Sequence, residues 1–530
     1  IGHWLEARSV LGASRALEEL VKVMPATAHQ IKNGSVTDVD VLNLAVGDLV
    51  LVRPGEKIPS DGIVVEGESS LDEALLTGES KPVSKKNNDK VIGGAINGEG
   101  ALKIQIEKTG EQTYLSQVVK LVKQAQESKS KTQDLANRAA ALLFYVAIIL
   151  GAATFGVWAA LGNVQFAITR SVTVLVIACP HALGLAIPLI VALSTAITAK
   201  RGILIRDRKA FEEAKDINAV VFDKTGTLTI GQVGVTDVLP YVSVEELLGV
   251  SAGVEQNSEH PIAKAIVKYA KAQGITIQAS RDFQAIPGQG AKAEINSKQV
   301  YVGGPHLLKN QKISVTDLKL TDLQNSGKTV VYTIVDGKLV GAFALADQVR
   351  SESKQAIQEL KAKGISVFML TGDSKAVAKN VAEELSVDGY FAEVLPDQKA
   401  RQIETLRNQG FKVAMVGDGI NDAPALVTAD VGVAIGAGTD VAVESADIIL
   451  VKNNPKDVVV AIDFSKRTYK KMVQNLWWAT GYNVLALPLA AGVFAGLGII
   501  VDPAVGAILM SLSTVLVAIN SQTLRRQKTG

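Results

Sequence analysis

At 530 residues the chain has room for roughly three or four domains, and 47% hydrophobic against 20% charged residues is apolar for a purely soluble protein, as is a mean hydropathy of +0.22. A formal net charge of +2 argues against nucleic acid as a partner. One cysteine and five histidines exclude a disulfide framework and a cysteine-rich zinc module.

The start, Ile1-Gly2-His3-Trp4-Leu5-Glu6-Ala7-Arg8, has no basic segment ahead of an apolar core and reads as the tail of a longer element. Residues 36–125 read as mostly β: Val, Ile and Leu alternate with polar residues, and turns such as Arg53-Pro54-Gly55 and Asp61-Gly62 punctuate them. Four stretches are apolar enough to span a bilayer: Ala139–Leu161, Ile168–Ala199, Trp477–Leu497 and Ile499–Asn520. Their basic flanks (Lys129, Lys131 and Arg138; Lys200, Arg201, Arg206 and Arg208; Lys466, Arg467, Lys470 and Lys471; Arg525 and Arg526) put the polar segments together on the cytoplasmic side.

The lone Cys179 sits with Pro180 and His181 in the middle of the second span. Proline removes a helical hydrogen bond and frees carbonyls, and a broken membrane helix is tolerated where it lines a site. A histidine at that depth is costly and marks function. Thiolate with imidazole suits copper, zinc or silver and suits Na⁺, K⁺ or Ca²⁺ poorly.

Residues 201–465 read as α/β. The runs Ala219–Phe222 and Val413–Val416 do not alternate, as expected of central strands in a parallel sheet buried on both faces. Residues 233–343 have their own strand and turn pattern and read as an inserted domain. Directly after the first strand comes Asp223-Lys224-Thr225-Gly226-Thr227-Leu228-Thr229. Ligands bind at the carboxyl ends of such strands, and a carboxylate there can be the nucleophile that forms an acyl phosphate. Lys224 and the small hydroxyl residues beside it ease the approach of a phosphate. Three later strand ends add Thr371-Gly372-Asp373, Pro396-Asp397-Gln398-Lys399 and Gly417-Asp418-Gly419-Ile420-Asn421-Asp422. Asp223, Thr225 and Asp418 are the candidate Mg²⁺ ligands, while Thr371 and Lys399 would hold phosphoryl oxygens. Asp422 completes the catalytic set, and Asp373 is a candidate nucleotide contact.

The DKTGTLT run at 223–229, with Thr77-Gly78-Glu79-Ser80 in the β region, resembles the P-type ATPases, cation pumps built on a haloacid-dehalogenase-like sheet. The resemblance spans nearly all of the chain. It implies a multidomain α/β protein with transmembrane helices: a Rossmannoid phosphorylation domain, an inserted α+β nucleotide-binding domain and a β-rich actuator domain. It also implies Mg²⁺ and ATP as cofactors and Glu79 as the base that activates the dephosphorylating water. Ser258-Glu259-His260-Pro261 and Gly288-Gln289-Gly290 are similar to the nucleotide domain of the heavy-metal (type IB) branch, where Glu255 and His260 would contact the adenine end and Gly288 and Gly290 would let the backbone approach.

The last spans, with Asn475, Tyr482-Asn483, Pro488 and Met510-Ser511-Leu512-Ser513-Thr514, resemble the C-P-H subgroup of copper exporters. That likeness makes Cys179, His181, Tyr482, Asn483, Met510, Ser511, Ser513 and Thr514 the candidate transport site, with Cys179, His181 and Met510 as direct ligands. The ligand types leave Cu⁺, Cu²⁺ and Ag⁺ open. A pump for Zn²⁺ or K⁺, or metal or nucleotide binding without transport, remain competing readings.

The implied segments are the end of an upstream membrane helix (1–18), actuator (19–130), two transmembrane helices (131–200), phosphorylation domain (201–232 and 344–470), nucleotide-binding domain (233–343) and two C-terminal transmembrane helices (471–530). The family has eight spans, so the earlier spans are expected to be missing from this sequence. The implied setting is a bacterial plasma membrane with catalytic domains in the cytoplasm, lipid as a partner, and any metallochaperone unknown.

Overall fold

The computed structural model describes residues 25–32, 34–73, 82–127, 130–313, 317–325, 327–418, 422–436 and 444–526. The expected upstream helix end (1–18) and the Thr77–Ser80 loop lie outside them. The chain divides into two compact units: Ile1–Asp216 with Ala446–Lys452 and Val460–Gly530, and Ile217–Ser445 with Asn453–Val459.

The first unit opens with two antiparallel β-sheets between Thr27 and Ile106, one six-stranded and one three-stranded. Alternation explains them: Leu102, Ile104 and Ile106 face a core with Val50, Val52, Ile58, Val64 and Leu71, while Lys103 and Gln105 point away from it. Two buried polar side chains lock the turns. Asn97 Nδ2 donates to the carbonyls of Val52 (3.2 Å), Arg53 (3.1 Å) and Gly100 (2.7 Å). Asp61 accepts from Gly93 N (2.8 Å) and Tyr114 N (2.6 Å), tying the sheet to the helix Tyr114–Glu127.

Helix α1 (Lys131–Ala160) follows, capped by Ser130. Helix α2 (Val164–Ile177) comes next, then the short α3 (His181–Ala186) and α4 (Pro188–Ala199). The second expected span is therefore one apolar rod broken at residues 178–180 and again at Ile187, each break beside a proline. Large apolar side chains on α1 (Leu142, Phe144, Ile149, Val157) stay exposed, as a lipid-facing helix requires. Helix α5 (Arg208–Glu213) is capped by Asp207 and closes this part of the unit.

The second unit holds a parallel sheet. Strand β1 (Ala219–Asp223) is buried throughout. The long β2 (Thr229–Pro240), helices α6 (Val244–Glu255) and α7 (Pro261–Ala272) and the long β3 (Lys338–Val349) belong to an inserted antiparallel sheet and its covering layer. Strand β4 (Ser366–Leu370), helix α8 (Lys399–Asn408), strand β5 (Val413–Gly417) and strand β6 (Val431–Ile435) return to the parallel sheet. Its order is β6, β5, β1, β4 and Gly389–Phe391, with β1 parallel to both β4 and β5. The β1 and β5 runs are apolar without alternation because both faces are covered, as expected.

Helix α9 (Lys456–Ala490) and helix α10 (Pro503–Arg526) end the described chain. Among the described residues three helices are long and apolar enough to cross a membrane: Lys131–Ala160, Val164–Ala199 and Pro503–Arg525. The expected span Trp477–Leu497 differs. It is the second half of α9, which runs through Pro488 and stops at Ala490, where Gly492 takes left-handed backbone (φ 82°) and the Val493 N–H closes on the Pro488 carbonyl at 3.1 Å. Helix α10 likewise begins at Pro503 rather than Ile499.

Replacing Asn97 with Ala strands buried carbonyls and is expected to cost about 1–3 kcal/mol. Urea-dependent proteolysis of the full chain, followed on fragments of the β region, should show a lowered midpoint; an unchanged midpoint would remove Asn97 from the core.

Candidate functional site

The parallel sheet brings distant parts of the sequence to one edge. Asp223 ends β1, Thr371 follows β4, Asp418 follows β5, and Lys399 opens α8. Lys399 Nζ donates to Asp223 Oδ1 at 2.6 Å and to Asp422 Oδ1 at 2.5 Å, and all three side chains are buried. Burial pushes the Asp223 carboxyl up, and Asp422 and then Asp418 push it further, against the downward pull of Lys399. Asp422 is raised for the same first reason. Burial pulls Lys399 down, but the two carboxylates more than offset it and its net shift is upward.

Glycine makes the approach possible. A side chain at Gly417 would put its Cβ 2.2 Å from Asp422 Oδ2, so only glycine lets that carboxylate lie over the end of β5. Gly226 turns the segment after Asp223 through left-handed backbone (φ 75°), facing Asp418. The carboxylates of Asp223, Asp418 and Asp422 outnumber the single lysine among them. Two of these carboxylates, Asp223 and Asp418, would offer oxygen ligands to a hard divalent cation such as Mg²⁺, with Thr225 in the turn that follows Asp223.

Lys224 is buried and pairs with Asp373 Oδ2 at 2.7 Å and Asp347 Oδ2 at 3.6 Å. Thr371 Oγ1 accepts from the Asp373 N–H at 3.1 Å. Asp373 thus holds the lysine that follows Asp223, a contact its expected place among the nucleotide contacts did not include. Asp347 was missed in the sequence. It accepts from Thr229 Oγ1 (2.5 Å) and Gly231 N (2.9 Å), and its only sequence signal is a carboxylate near the end of the apolar run Val340–Leu345. Arg350, also missed, donates to the carbonyls of Thr227 (3.2 Å) and Gly226 (3.2 Å) and holds the turn from outside. Glu79 lies outside the described residues.

In the inserted domain, Glu255, His260, Gly288 and Gly290 line one cavity of about 610 Å³. Glu255 ends α6, and burial pushes its carboxyl up to about 7. His260 caps α7, its Nδ1 accepting from Ile262 N at 3.3 Å, which leaves Nε2 to meet a ligand. Gly288 is left-handed (φ 70°), and at Gly290 a Cβ would lie 2.1 Å from the Val302 carbonyl. Lys328 also lines the cavity, held by Asp237 at 2.6 Å; a lysine in a polar run carries no signal in sequence.

In the first unit, Cys179 lies at the break between α2 and α3 and His181 starts α3. Helix α10, carrying Met510, Ser511, Ser513 and Thr514, packs along α2, α3 and α4. Tyr482 OH donates to the Ile177 carbonyl at the break (3.0 Å), so it stabilises the opened backbone. Asn483 is buried, and neither of its amide atoms has a hydrogen-bond partner among the described residues. Ser513 donates to the Trp478 carbonyl (3.3 Å) and Thr514 to that of Met510 (3.2 Å), leaving their oxygens as acceptors. Asn475 donates to the Ala186 carbonyl before the second break (3.0 Å) and accepts from Asn520 (2.8 Å). No group of three or more His, Cys, Asp or Glu among the described residues is arranged to hold a metal. An ion at Cys179 and His181 must therefore complete its shell with thioether, amide, hydroxyl or carbonyl donors.

A family model for the P-type ATPase actuator domain matches residues 22–123, and models for haloacid dehalogenase-like hydrolases match 217–430 and 399–462. The chain is 59% identical over 527 residues to the copper-exporting P-type ATPase B of Archaeoglobus fulgidus, covering 99% of this chain and 76% of that protein. It is 47% identical over 530 residues to the probable copper-transporting P-type ATPase B of Staphylococcus aureus, covering 99% and 79%. A crystal structure of a zinc-transporting PIB-type ATPase superposes with a TM-score of 0.63 at 32% identity, covering 99% of this chain and 86% of that one.

Replacing Lys399 with Met leaves two buried carboxylates facing each other and removes a preorganised cation. Phosphorylation of the chain by ATP should slow by about 10²–10³-fold, the usual cost of losing one such donor. A rapid-quench labelling rate within a few-fold of wild type would contradict the bridge.

Proposed function

Because the chain belongs to the heavy-metal branch of the P-type ATPases, which hydrolyse ATP through an aspartyl-phosphate intermediate to translocate cations, we propose that it exports copper, in the soft Cu⁺ form, through the break at Cys179–His181. The observation that carries the cargo reading is the donor set. A thiol and an imidazole flank a proline break, and the buried Asn483 amide, without a hydrogen-bond partner among the described residues, and the Met510 thioether are the further donors offered by α9 and α10. Hard cations would be poorly served by these ligands. The copper-exporting and copper-transporting names of the relatives point the same way.

The chemistry follows from the second unit. ATP enters the cavity lined by Glu255, His260, Gly288 and Gly290, and Lys328 adds a positive charge at its wall. Asp223 and Asp418, with Thr225, would hold Mg²⁺, which when bound would neutralise charge on the phosphoryl oxygens. An Asp223 carboxylate oxygen attacks the γ-phosphorus. The bond from that phosphorus to the bridging oxygen breaks, and ADP leaves with its electron pair. Lys399 holds Asp223 ionised and in place before attack, and Thr371 and Lys399 then steady the transferred group. Lys224, braced by Asp347 and Asp373, neutralises the incoming phosphate. Water later attacks the acyl phosphate with Glu79 taking its proton, which releases inorganic phosphate and restores the Asp223 carboxylate.

Metal and phosphate must favour different states of one bistable assembly for transport to be coupled. The bacterial plasma membrane is the proposed location, with the domains of residues 19–130, 201–232, 233–343 and 344–470 on the cytoplasmic side.

ATP hydrolysis by the full chain in membrane vesicles should be stimulated several-fold by Cu⁺ and by Ag⁺ and not by K⁺. Cys179→Ser and His181→Ala should each remove most of the stimulation while nucleotide binding is kept. Stimulation by Zn²⁺ alone would replace copper as the cargo.

A further inference from the structure

A fully buried ion pair in the first unit is not used by the chemistry above. Arg208, at the start of α5, is 0% exposed. Its Nε faces Glu212 Oε1 at 3.4 Å and its Nη1 donates to Ser194 Oγ at 2.9 Å. Its guanidinium lies over the Phe211 ring at 5.0 Å. The other carboxylate oxygen of Glu212 accepts from Thr132 Oγ1 at 2.8 Å and from Thr132 N at 3.4 Å. Ser465 on α9 donates to the Phe211 carbonyl at 2.5 Å, and Lys131 pairs with Glu213. One turn and a half of helix thus holds the first turn of α1, the distal part of α4 and the first half of α9.

Stability alone does not explain such a pair. Two ions taken out of water lose hydration that their attraction barely returns, and well-packed apolar residues in their place are often neutral or better. The pair is also incompletely satisfied, since Arg208 Nη2 has no hydrogen-bond partner among the described residues. What a buried pair does well is fix one register against its neighbours, and arginine does it because its charge survives burial and its planar fork has directional donors.

The elements so fixed are connected by chain to the working parts. Helix α4 connects back to Cys179-Pro180-His181 through α3 and the second break at Ile187, α5 leads into the strand ending at Asp223, and the amino end of α1 is where the chain arrives from the β-sheets. We propose that Arg208 and Glu212 are positioning residues that couple the transport break to phosphorylation, by making α1, α4 and α5 move as one body. Neither is among the residues assigned to hold metal or nucleotide. The inference rests on the reading of Cys179 and His181 as the transport site.

The test uses the full chain in membrane vesicles, with Arg208→Met/Glu212→Met as an apolar replacement of the pair, Ser194→Ala as a mild variant that removes one hydrogen bond, and Arg208→Lys as the conservative one. Labelling of the chain by inorganic phosphate without metal, nucleotide affinity, and Cu⁺-stimulated ATP hydrolysis are measured together. The double variant should keep phosphate labelling and nucleotide affinity near wild type. Its Cu⁺-stimulated turnover should fall by about tenfold or more, within the 5- to 150-fold range of a typical coupling free energy. Ser194→Ala and Arg208→Lys should lie between it and wild type.

Wild-type stimulation in both the double variant and Ser194→Ala would overturn the proposal. Parallel loss of labelling, nucleotide binding and turnover across the variants would overturn it too, since that pattern reports only folding. A wild type that ignores Cu⁺ would sink the cargo reading instead, so the two failures are distinguishable.

Discussion

The catalytic edge depends on one lysine between two buried carboxylates. Asp223 must be dry enough to react with a phosphate in competition with water, yet burial favours its neutral, unreactive form. Lys399 answers both demands, because its ammonium follows Asp223 and Asp422 into the protein and keeps negative charge there tolerable. The rest of the edge is arranged around that compromise. Gly417 lets Asp422 come close, Gly226 bends the following turn, and Arg350 clamps its carbonyls. The surplus of carboxylates that remains is what a divalent cation with ATP would neutralise.

The membrane part solves a different problem with the same logic. Breaking α2 from α3 and α3 from α4 frees backbone carbonyls where no water is available to satisfy them. Tyr482 answers one carbonyl and Asn475 another, so the breaks are held open by side chains from α9. The donors left beside the gap are soft or weakly polar. Asn483 is buried with neither amide atom paired among the described residues, and a bound ligand would satisfy it.

Much of this was legible in sequence because it is local or periodic. The DKTGTLT run, the apolar strands before each motif and the proline break are written in consecutive residues, and the fold class with its membrane helices followed from them. The cavity of the inserted domain gathers Glu255, His260, Gly288 and Gly290 as the motifs suggested. Illegible were partners far apart in the chain. Asp347 and Arg350 look like ordinary strand-end residues until the fold sets them against residues 224–231. Arg208 looks like a basic flank that stays in water and is instead fully buried against Glu212 and Ser194. The stretch 477–497 read as one continuous span because composition does not show that left-handed Gly492 ends α9 early. Tyr482 entered the candidate transport site through the likeness to the C-P-H subgroup, and nothing in the sequence showed that its hydroxyl meets the Ile177 carbonyl.

The central claim is that Asp223, poised by Lys399, accepts phosphate covalently. The most direct measurement is mass spectrometry of acid-quenched full chain after brief exposure to Mg·ATP and Cu⁺, with the modified peptide located. The account requires a hydroxylamine-sensitive phosphate on Asp223 that disappears on a chase with unlabelled ATP. Metal-stimulated hydrolysis with no phosphate on Asp223, or with phosphate on another side chain, would contradict it.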